Sequence, residues 1–182
     1  HIQFLVAMGD KLIIAVQENS TYKFMIYDGS TLQTGTEFPA NYQPYYIQPV
    51  YFDDKLYYIN YWYYWNGSYS SYYYYLYTYD GTVSTSGNTF WNQNKHMASL
   101  GTSLPSSDSS ILYNSRLYFV RYQSSRYDLW YLDGTENEAG YSTATKATSL
   151  GSSSPQNFIV FDSKLYYTTN PSGSHNLYAY DG

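Results

Sequence analysis

The sequence lacks several of the residues on which common functions depend. It has no cysteine, which excludes a disulfide framework and thiol chemistry but does not place the protein inside or outside a cell. Only 9 of its 182 residues are Lys or Arg, they are scattered, and the net charge is −5, so a positive face for nucleic acid is not expected. No apolar run approaches the about 18 residues that a membrane span needs, so we expect no transmembrane segment. The chain begins at His1 rather than Met, which suggests a processed product or an excised piece.

Motifs for catalysis are equally scarce. The sequence has no glycine-rich phosphate loop, no nucleophile elbow and no metal-ligand spacing among His1, His96 and His175. A glycosidase would need two facing carboxylates, and no such pair stands outside the predicted turns. We therefore expect a protein that is not an enzyme, with no cofactor and no metal.

Tyrosine is the one residue in clear excess, with 28 copies in a chain of which only 13% is charged. A tyrosine ring can pack in a β-core while its hydroxyl stays in contact with water, so it also suits a contact surface. A surface rich in Tyr, Ser and Thr favours two kinds of partner, sugars or other copies of the protein.

A repeated pattern of short apolar runs organises the chain. Asp-Gly pairs recur after 52, 53 and 48 residues, which indicates a repeat of about 50 residues. Each pair follows a Lys-Leu or Arg-Leu pair by 17 positions, except in the second repeat, where the spacing is 25. The Asp-Gly pairs begin at Asp28, Asp80, Asp133 and Asp181, and the earlier pairs begin at Lys11, Lys55, Arg116 and Lys164.

Each repeat reads as short antiparallel strands joined by tight turns. The repeat units span about residues 1–45, 46–105, 106–155 and 156–182, and we predict essentially no helix. The first three units hold four strands and the last holds three. Fourth strands are predicted near Asn92–Leu100 and Tyr141–Leu150, and loops between units are predicted around Pro39, Pro44 and Pro155.

Apolar residues fall on both faces of these strands, as in Leu165-Tyr166-Tyr167. A blade of a β-propeller is buried on both faces, whereas a sandwich would show clean alternation. The expected fold is therefore all-β, a single four-bladed β-propeller domain over residues 1–182 whose last blade lacks its outer strand.

One segment carries a family resemblance. Asp128-Leu129-Trp130-Tyr131-Leu132-Asp133-Gly134-Thr135 resembles the bacterial ELWxxDGT repeat, and Leu150-Gly151 and Lys164-Leu165 continue the pattern. The Leu-Trp form and the acidic residue occur in the third unit alone, and Phe24-Met25, Leu76-Tyr77 and Leu177-Tyr178 stand at the equivalent places. The resemblance implies a β-propeller of bacterial surface or secreted proteins that binds rather than catalyses.

The last strand and the insertion are the candidate contact regions. A missing outer strand would leave the edge of Leu177, Tyr178, Ala179 and Tyr180 unpaired, either for a neighbouring subunit to complete or because the chain is cut from a longer one. The insertion of the second unit predicts a long hairpin turning at Asn66-Gly67, which either forms a contact surface or covers its own blade. Its candidate contact residues are Tyr61, Trp62, Tyr63, Tyr64, Trp65 and Tyr69.

Smaller motifs have plainer interpretations. Asn19 and Asn66 match the N-glycosylation pattern, which also arises by chance in a Ser- and Asn-rich chain. The Asp-Gly pairs lack the neighbouring oxygen ligands that calcium needs, so we interpret them as turns, and likewise the adjacent pair Asp53-Asp54.

Two functions remain open from the sequence. The first is an extracellular or cell-surface module for self-assembly or adhesion, a building block of oligomers or filaments. The second is a carbohydrate-binding, lectin-like propeller. The loops between the second and third strands differ in every unit, which argues against four like sugar pockets and favours assembly.

Overall fold

The computed structural model consists of antiparallel β-sheets with almost no helix, which confirms the all-β prediction. It describes residues 1–44, 49–65, 67–86, 89–102, 110–135, 143–170 and 174–182. The chain divides into two compact units, His1–Ala98 and Ser99–Gly182, with the boundary inside one strand. The strands form four sheets that follow the predicted repeats, except that the strand Tyr42–Pro44, within residues 1–45, pairs into the sheet of the second repeat. The expectation of one domain over residues 1–182 stays a prediction.

The first unit contains sheets 1 and 2. Sheet 1 runs in chain order through β1 (Ile2–Met8), β2 (Lys11–Glu18), β3 (Thr21–Tyr27) and β4 (Leu32–Glu37). Sheet 2 contains β5 (Tyr42–Pro44), β6 (Val50–Phe52), β7 (Lys55–Trp65), β8 (Ser70–Tyr79) and β9 (Asn94–Gly101), and the short helix α1 (Phe90–Gln93) precedes β9. Both β5 and β6 pair with β7.

The second unit contains sheets 3 and 4. Sheet 3 runs through β10 (Ser110–Tyr113), β11 (Arg116–Gln123), β12 (Arg126–Leu132) and β13 (Thr145–Gly151). Sheet 4 runs through β14 (Pro155–Phe161), β15 (Lys164–Thr169) and β16 (Asn176–Tyr180). Among the described residues, sheet 4 therefore has three strands where sheets 1 and 3 have four.

A two-residue turn precedes the strand that begins with Lys-Leu or Arg-Leu in each sheet. In three sheets both turn residues have positive φ, as in Asp53 (49°) and Asp54 (55°), or Asp162 (47°) and Ser163 (56°). This geometry twists in the same sense as the strands and suits Asn, Asp and Ser, which tolerate the left-handed region. The prediction that Asp53-Asp54 forms a turn is confirmed.

Two local predictions were wrong. The segment around Pro44 was predicted as a loop, but Tyr42–Pro44 is the edge strand β5, where a missing N–H is tolerated. Pro155 likewise was placed in a loop and instead begins the edge strand β14. The fourth strand predicted near Asn92–Leu100 is confirmed as β9 (Asn94–Gly101), and it begins two residues later than predicted because Phe90–Gln93 forms one helical turn.

Phe24 lies at the centre of the first unit's core and is fully buried. Its ring is 4.9 Å from Phe38, 5.0 Å from Tyr58 and 5.2 Å from Tyr79, measured between centroids. Because Phe24 belongs to sheet 1 and both tyrosines belong to sheet 2, these rings hold the two sheets face to face.

A buried polar link joins the same two sheets beside α1. The Gln93 side chain donates to the carbonyl of Gly35 (2.8 Å) and to that of Thr82 (2.9 Å). The Asn94 amide donates to the Phe90 carbonyl (2.9 Å) and accepts from the Tyr58 hydroxyl (2.9 Å). Polar groups buried this deeply require such partners, so α1 is a structural connection.

The second unit has a core of the same kind. Leu129 of sheet 3 and Leu165 of sheet 4 are buried in one cluster. The rings of Tyr118 and Tyr180 meet at 5.8 Å, and the Tyr113 hydroxyl donates to the Ser163 carbonyl (2.7 Å). Sheet 3 therefore packs on sheet 4 as sheet 1 packs on sheet 2.

Candidate functional site

The insertion of the second repeat forms the long hairpin β7–β8, as predicted. Its strands reach 11 and 10 residues and remain paired out to Trp65 and Ser70. Asn66, the predicted turn residue, lies outside the described residues. Of the six candidate contact residues, Tyr64, Trp65 and Tyr69 are exposed, and the other three are half-buried.

The rings of this hairpin are divided between its two faces. Trp62, Tyr64 and Tyr73 share one face, with ring centroids 5.4 and 5.7 Å from Trp62. The pairing of Tyr61 with Tyr74 and of Tyr63 with Tyr72 places those four rings on the other face. The candidate residues therefore form two surfaces rather than the single one that the sequence indicated.

The second of these surfaces continues into a cleft of about 310 Å³ in the first unit. Strands of sheet 1 and sheet 2 both contribute to its wall, which includes Gln3, Tyr22, Gln43, Tyr61, Tyr72 and Tyr74. Burial, and then the neighbouring hydroxyls of Tyr22, Tyr72 and Tyr74, raise the pKa of Tyr61 to about 12. Its hydroxyl is therefore a neutral hydrogen-bonding group at physiological pH.

Gln43 is held in place within this cleft. Its backbone N–H donates to Asn60 Oδ1 (3.1 Å), and its side-chain carbonyl accepts a hydrogen bond from the Tyr61 hydroxyl. Asn60 is itself fully buried, so this bond ties Gln43 to the interior of the protein. The carbonyl end of the Gln43 amide is thus used inside the protein, and its N–H₂ end is the donor available for a ligand.

Residues at equivalent positions of the repeat lie on equivalent faces of their sheets, so the burial of these faces can be compared between sheets. We name face A the face that carries the residue four positions before each Asp-Gly pair, Phe24, Leu129 or Leu177. Face B is the opposite face, which carries the Leu that begins the second strand, Leu12, Leu56 or Leu165. In the first unit, face A of sheet 1 packs on face B of sheet 2, and in the second unit, face A of sheet 3 packs on face B of sheet 4.

Face A of sheet 4 is apolar and exposed. At the same repeat position, Phe24 is 0% and Leu129 is 1% exposed, but Leu177 is 70% exposed. Ile159 and Phe161 lie on the same face of β14 and are 60% and 69% exposed. This face therefore carries the apolar residues typical of a face packed against another sheet, but here those residues are exposed.

Face B of sheet 1 is also apolar and exposed. Ile2, Leu5 and Leu32 lie on it and are 55%, 55% and 56% exposed. Tyr27 of the same face is exposed, whereas Tyr79, at the equivalent position of sheet 2, is fully buried. Large contiguous apolar surfaces of this kind are typical of interaction sites.

The predicted open edge is strand β16. Leu177, Tyr178, Ala179 and Tyr180 pair with β15, and no strand among the described residues pairs with their other side. Leu177 and Ala179 lie on face A, and Tyr178 stacks on Tyr167 of face B at 5.3 Å between ring centroids. The use of this edge by another chain stays a prediction.

Three of the four Asp-Gly pairs form turns closed by the Asp side chain, as predicted. The Asp28 carboxylate accepts hydrogen bonds from the backbone N–H groups of Ser30 (2.9 Å) and Thr31 (2.7 Å). These backbone bonds, followed by those from the two hydroxyls, hold the pKa of Asp28 far below its ordinary value. Thr82 and Thr135 each donate a backbone N–H and a hydroxyl to Asp80 and Asp133, at the position that Ser30 occupies beside Asp28. These three carboxylates therefore accept hydrogen bonds from residues of their own loops.

Asp128, the acidic residue of the ELWxxDGT-like segment, is part of an ion pair. Its carboxylate lies 2.9 Å from Lys146 Nζ and accepts a 2.9 Å hydrogen bond from the Ser149 hydroxyl. Burial opposes the ionisation of Asp128, but the bonds from Lys146 and Ser149 outweigh it, so its pKa lies below the ordinary value. Asp128 therefore links β12 to β13, which is a structural role.

The remaining candidates lie apart from these surfaces. Asn19 is exposed in the turn between β2 and β3, and Asn66 is outside the described residues, so the use of either sequon stays a prediction. His96 packs beside Tyr75 and Tyr77, and burial lowers its pKa. Across the described ranges, no three His, Asp or Glu side chains are grouped as metal ligands would be. In the same part of the chain, no helix has the length and apolar character needed to cross a membrane.

Comparison with known protein families and with curated proteins finds no match for this chain. The ELWxxDGT resemblance, which covers all four repeats and is fullest in the third, therefore stays a hypothesis. Function has to be inferred from the surfaces themselves.

Several residues of these surfaces were missed from the sequence. Gln3, Tyr22 and Gln43 come from three different strands and meet in the cleft through sheet packing. Ile159 and Phe161 looked like ordinary core positions, because their equivalents in other repeats are core residues. No local signal distinguishes a covered face from an uncovered one.

Proposed function

We propose that this protein is a non-catalytic self-assembly module. In this proposal, face A of sheet 4 of one copy packs on face B of sheet 1 of the next. One observation carries it: the two apolar faces left uncovered are of opposite kinds, and A-on-B is the packing used inside both units. Burial of the exposed Ile, Leu and Phe side chains supplies the driving force.

The geometry of such contacts favours extended or cyclic assemblies. A contact between two different surfaces of the same molecule is heterologous, so it leaves a free face at each end of a dimer. Further copies therefore add until a ring closes or a filament grows. The outcome depends on the rotation between successive copies.

We also propose that the four sheets are the blades of a β-propeller, with sheet 4 as the blade that has three strands. The chain-order meander of each sheet and the repeated A-on-B packing support this arrangement. Closure of a propeller needs a first sheet to cover a last one, and in the assembly the neighbouring copy supplies that sheet. The free edge of β16 would then be open to a strand of the same neighbour.

The exposed aromatic hairpin and the composition rich in Tyr, Ser and Thr support a location outside the cell or at its surface. The hairpin residues Tyr64, Trp65 and Tyr69 present exposed aromatic rings, which would serve adhesion. The resemblance to the ELWxxDGT repeat points the same way.

Cross-linking of single-cysteine variants tests the contact. Because the chain has no native cysteine, Leu5→Cys marks face B of sheet 1 and Leu177→Cys marks face A of sheet 4. The two variants are mixed and treated with a short bismaleimide, and we expect covalent dimers that contain one copy of each. Tyr178→Cys, on the opposite face of the same strand, is the control partner for Leu5→Cys.

Two outcomes would contradict the proposal. The first is equal cross-linking of Leu177→Cys and Tyr178→Cys to Leu5→Cys, because the contact would then have no preference for face A. The second is an internally cross-linked monomer from the double variant Leu5→Cys/Leu177→Cys at high dilution. That result would mean that sheet 4 covers sheet 1 of its own chain.

A further inference from the structure

The cleft lined by residues of sheets 1 and 2 has the chemistry of a ligand site rather than of a protein contact. It is concave, and its volume of about 310 Å³ lies at the small end of the about 300–1,000 Å³ typical of ligand pockets. It lies within the first unit and is built from β1, β3, β5, β7 and β8. It is also separate from the two exposed apolar faces, whose residues do not line it.

The described residues that line this cleft are uncharged. They offer tyrosine hydroxyls, two glutamine amides and the faces of aromatic rings. A phosphate or carboxylate ligand would need cationic partners, and an amine would need an anion. The lining therefore selects a neutral ligand that has many hydroxyl groups.

The rings follow one another in a row along the hairpin, which we call the platform, and each ring is tilted by 47 to 56° from the next. Tyr61 lies 6.2 Å from Tyr74 and 5.9 Å from Tyr72, and Tyr72 lies 5.4 Å from Tyr63, all between centroids. An aromatic face is electron-rich, and the C–H groups of a pyranose face are weakly positive, so the two surfaces attract. A platform that leaves the cleft along the hairpin suits a ligand of linked, repeating rings.

Polar groups are fixed at the inner end of the platform. The buried Asn60 holds the Gln43 backbone, and the Tyr61 hydroxyl holds the Gln43 carbonyl oxygen, so the Gln43 N–H₂ group is oriented in advance. Gln3 supplies a second amide across the cleft from sheet 1. Fixed neutral donors beside a stacking surface reduce the ordering cost of binding a flexible polyol.

We propose that this cleft binds a neutral saccharide, with one ring seated against Tyr61 and Tyr74 and the next stacked on Tyr72. Gln43 donates its N–H₂ hydrogens to ligand hydroxyls, and Gln3 provides a second polar contact. The site does not depend on self-assembly, because all of its described residues belong to one unit of one chain.

The test uses four neutral disaccharides, cellobiose, maltose, lactose and N,N′-diacetylchitobiose. Binding to the full chain is measured by saturation-transfer NMR and by titration of aromatic fluorescence. Leu177→Ser serves as the background, so that self-association is weakened while the cleft is unchanged. We expect saturable binding of at least one disaccharide.

Two matched variants locate the site. Tyr72→Ser removes a cleft ring and should weaken binding about tenfold, in line with aromatic stacking on planar ligands. Tyr64→Ser removes a similarly exposed ring from the opposite face of the same hairpin and should leave binding unchanged. Gln43→Ala should also weaken binding, because it removes the oriented donor.

Three results would overturn this inference. They are the absence of saturable binding for all four disaccharides, an equal loss in Tyr72→Ser and Tyr64→Ser, or stronger binding of glucuronic acid than of its neutral counterpart glucose. Each can occur while Leu5→Cys and Leu177→Cys still cross-link, and cross-linking can fail while a disaccharide binds. The two proposals therefore stand or fall separately.

Discussion

Leu129 and Leu177 occupy the same position of the repeat, one buried and one exposed, so a Leu→Ser substitution can be compared between the two environments. Leu129 is buried between sheets 3 and 4, and Leu177 is exposed on face A of sheet 4. Replacement of either leucine by serine removes the same apolar side chain. The effect on folding and the effect on assembly should therefore separate cleanly.

The magnitudes follow from burial. Truncation of a buried leucine typically costs about 2–5 kcal/mol of stability, so Leu129→Ser should lower the free energy of unfolding by an amount of that order. An exposed substitution usually changes this quantity by less than about 0.5 kcal/mol, which we expect for Leu177→Ser. In the assembly, a leucine that is 70% exposed in the single chain would become buried. Burial of a whole leucine side chain is worth about 1.5–3 kcal/mol, so its loss weakens each contact by about 1–2 kcal/mol, or roughly 5- to 30-fold.

Two measurements check this prediction. Urea unfolding followed by circular dichroism at low protein concentration reports stability, and sedimentation velocity over a concentration series reports association. The reasoning is refuted if Leu177→Ser destabilises the chain as much as Leu129→Ser does. It is equally refuted if Leu177→Ser leaves the association constant unchanged.

Three further predictions concern the fold. Gly35→Ala should lower stability by about 1–3 kcal/mol in urea unfolding, because a Cβ there would press on the Tyr79 hydroxyl, and adding Tyr79→Phe should restore part of the loss. Gln93→Ala should cost about 1–3 kcal/mol in the same assay, since the buried Gly35 carbonyl loses the Gln93 donor, while the Thr82 carbonyl keeps the Tyr79 hydroxyl as a donor. Asp128→Asn should lower the melting temperature at neutral pH and reduce its dependence on acid, because the charge that pairs with Lys146 is gone.

The sign of the acid effect follows from the depressed pKa of Asp128. Its ion pair contributes its full stability above the ordinary aspartate pKa of about 3.9, and the contribution is lost as the pH falls through the lower folded-state value. An unchanged acid transition in Asp128→Asn would contradict this role. Full stability in Gln93→Ala, or no gain from Tyr79→Phe beside Gly35→Ala, would contradict the other two predictions.

Much of the secondary structure could be read from local patterns. The two-residue turns were predictable because Asp53-Asp54 and Asp162-Ser163 are residue types that accept positive φ. Strand β5 was missed because Pro44 reads as a loop signal, and its position at a sheet edge is a property of pairing. The cleft was missed for a similar reason, since Gln3 and Gln43 become neighbours only when sheet 1 packs on sheet 2.

The sequence by itself determined the repeat, the strands and the chemical character of each face, because these depend on residue spacing and side-chain type. It could not distinguish Phe24, Leu129 and Leu177, which occupy the same place in their repeats. Tertiary structure alone decided that the first two are covered and the third is not. The burial of a residue depends on whether another sheet packs on its face, and the residues of a sheet do not by themselves determine whether it has such a neighbour.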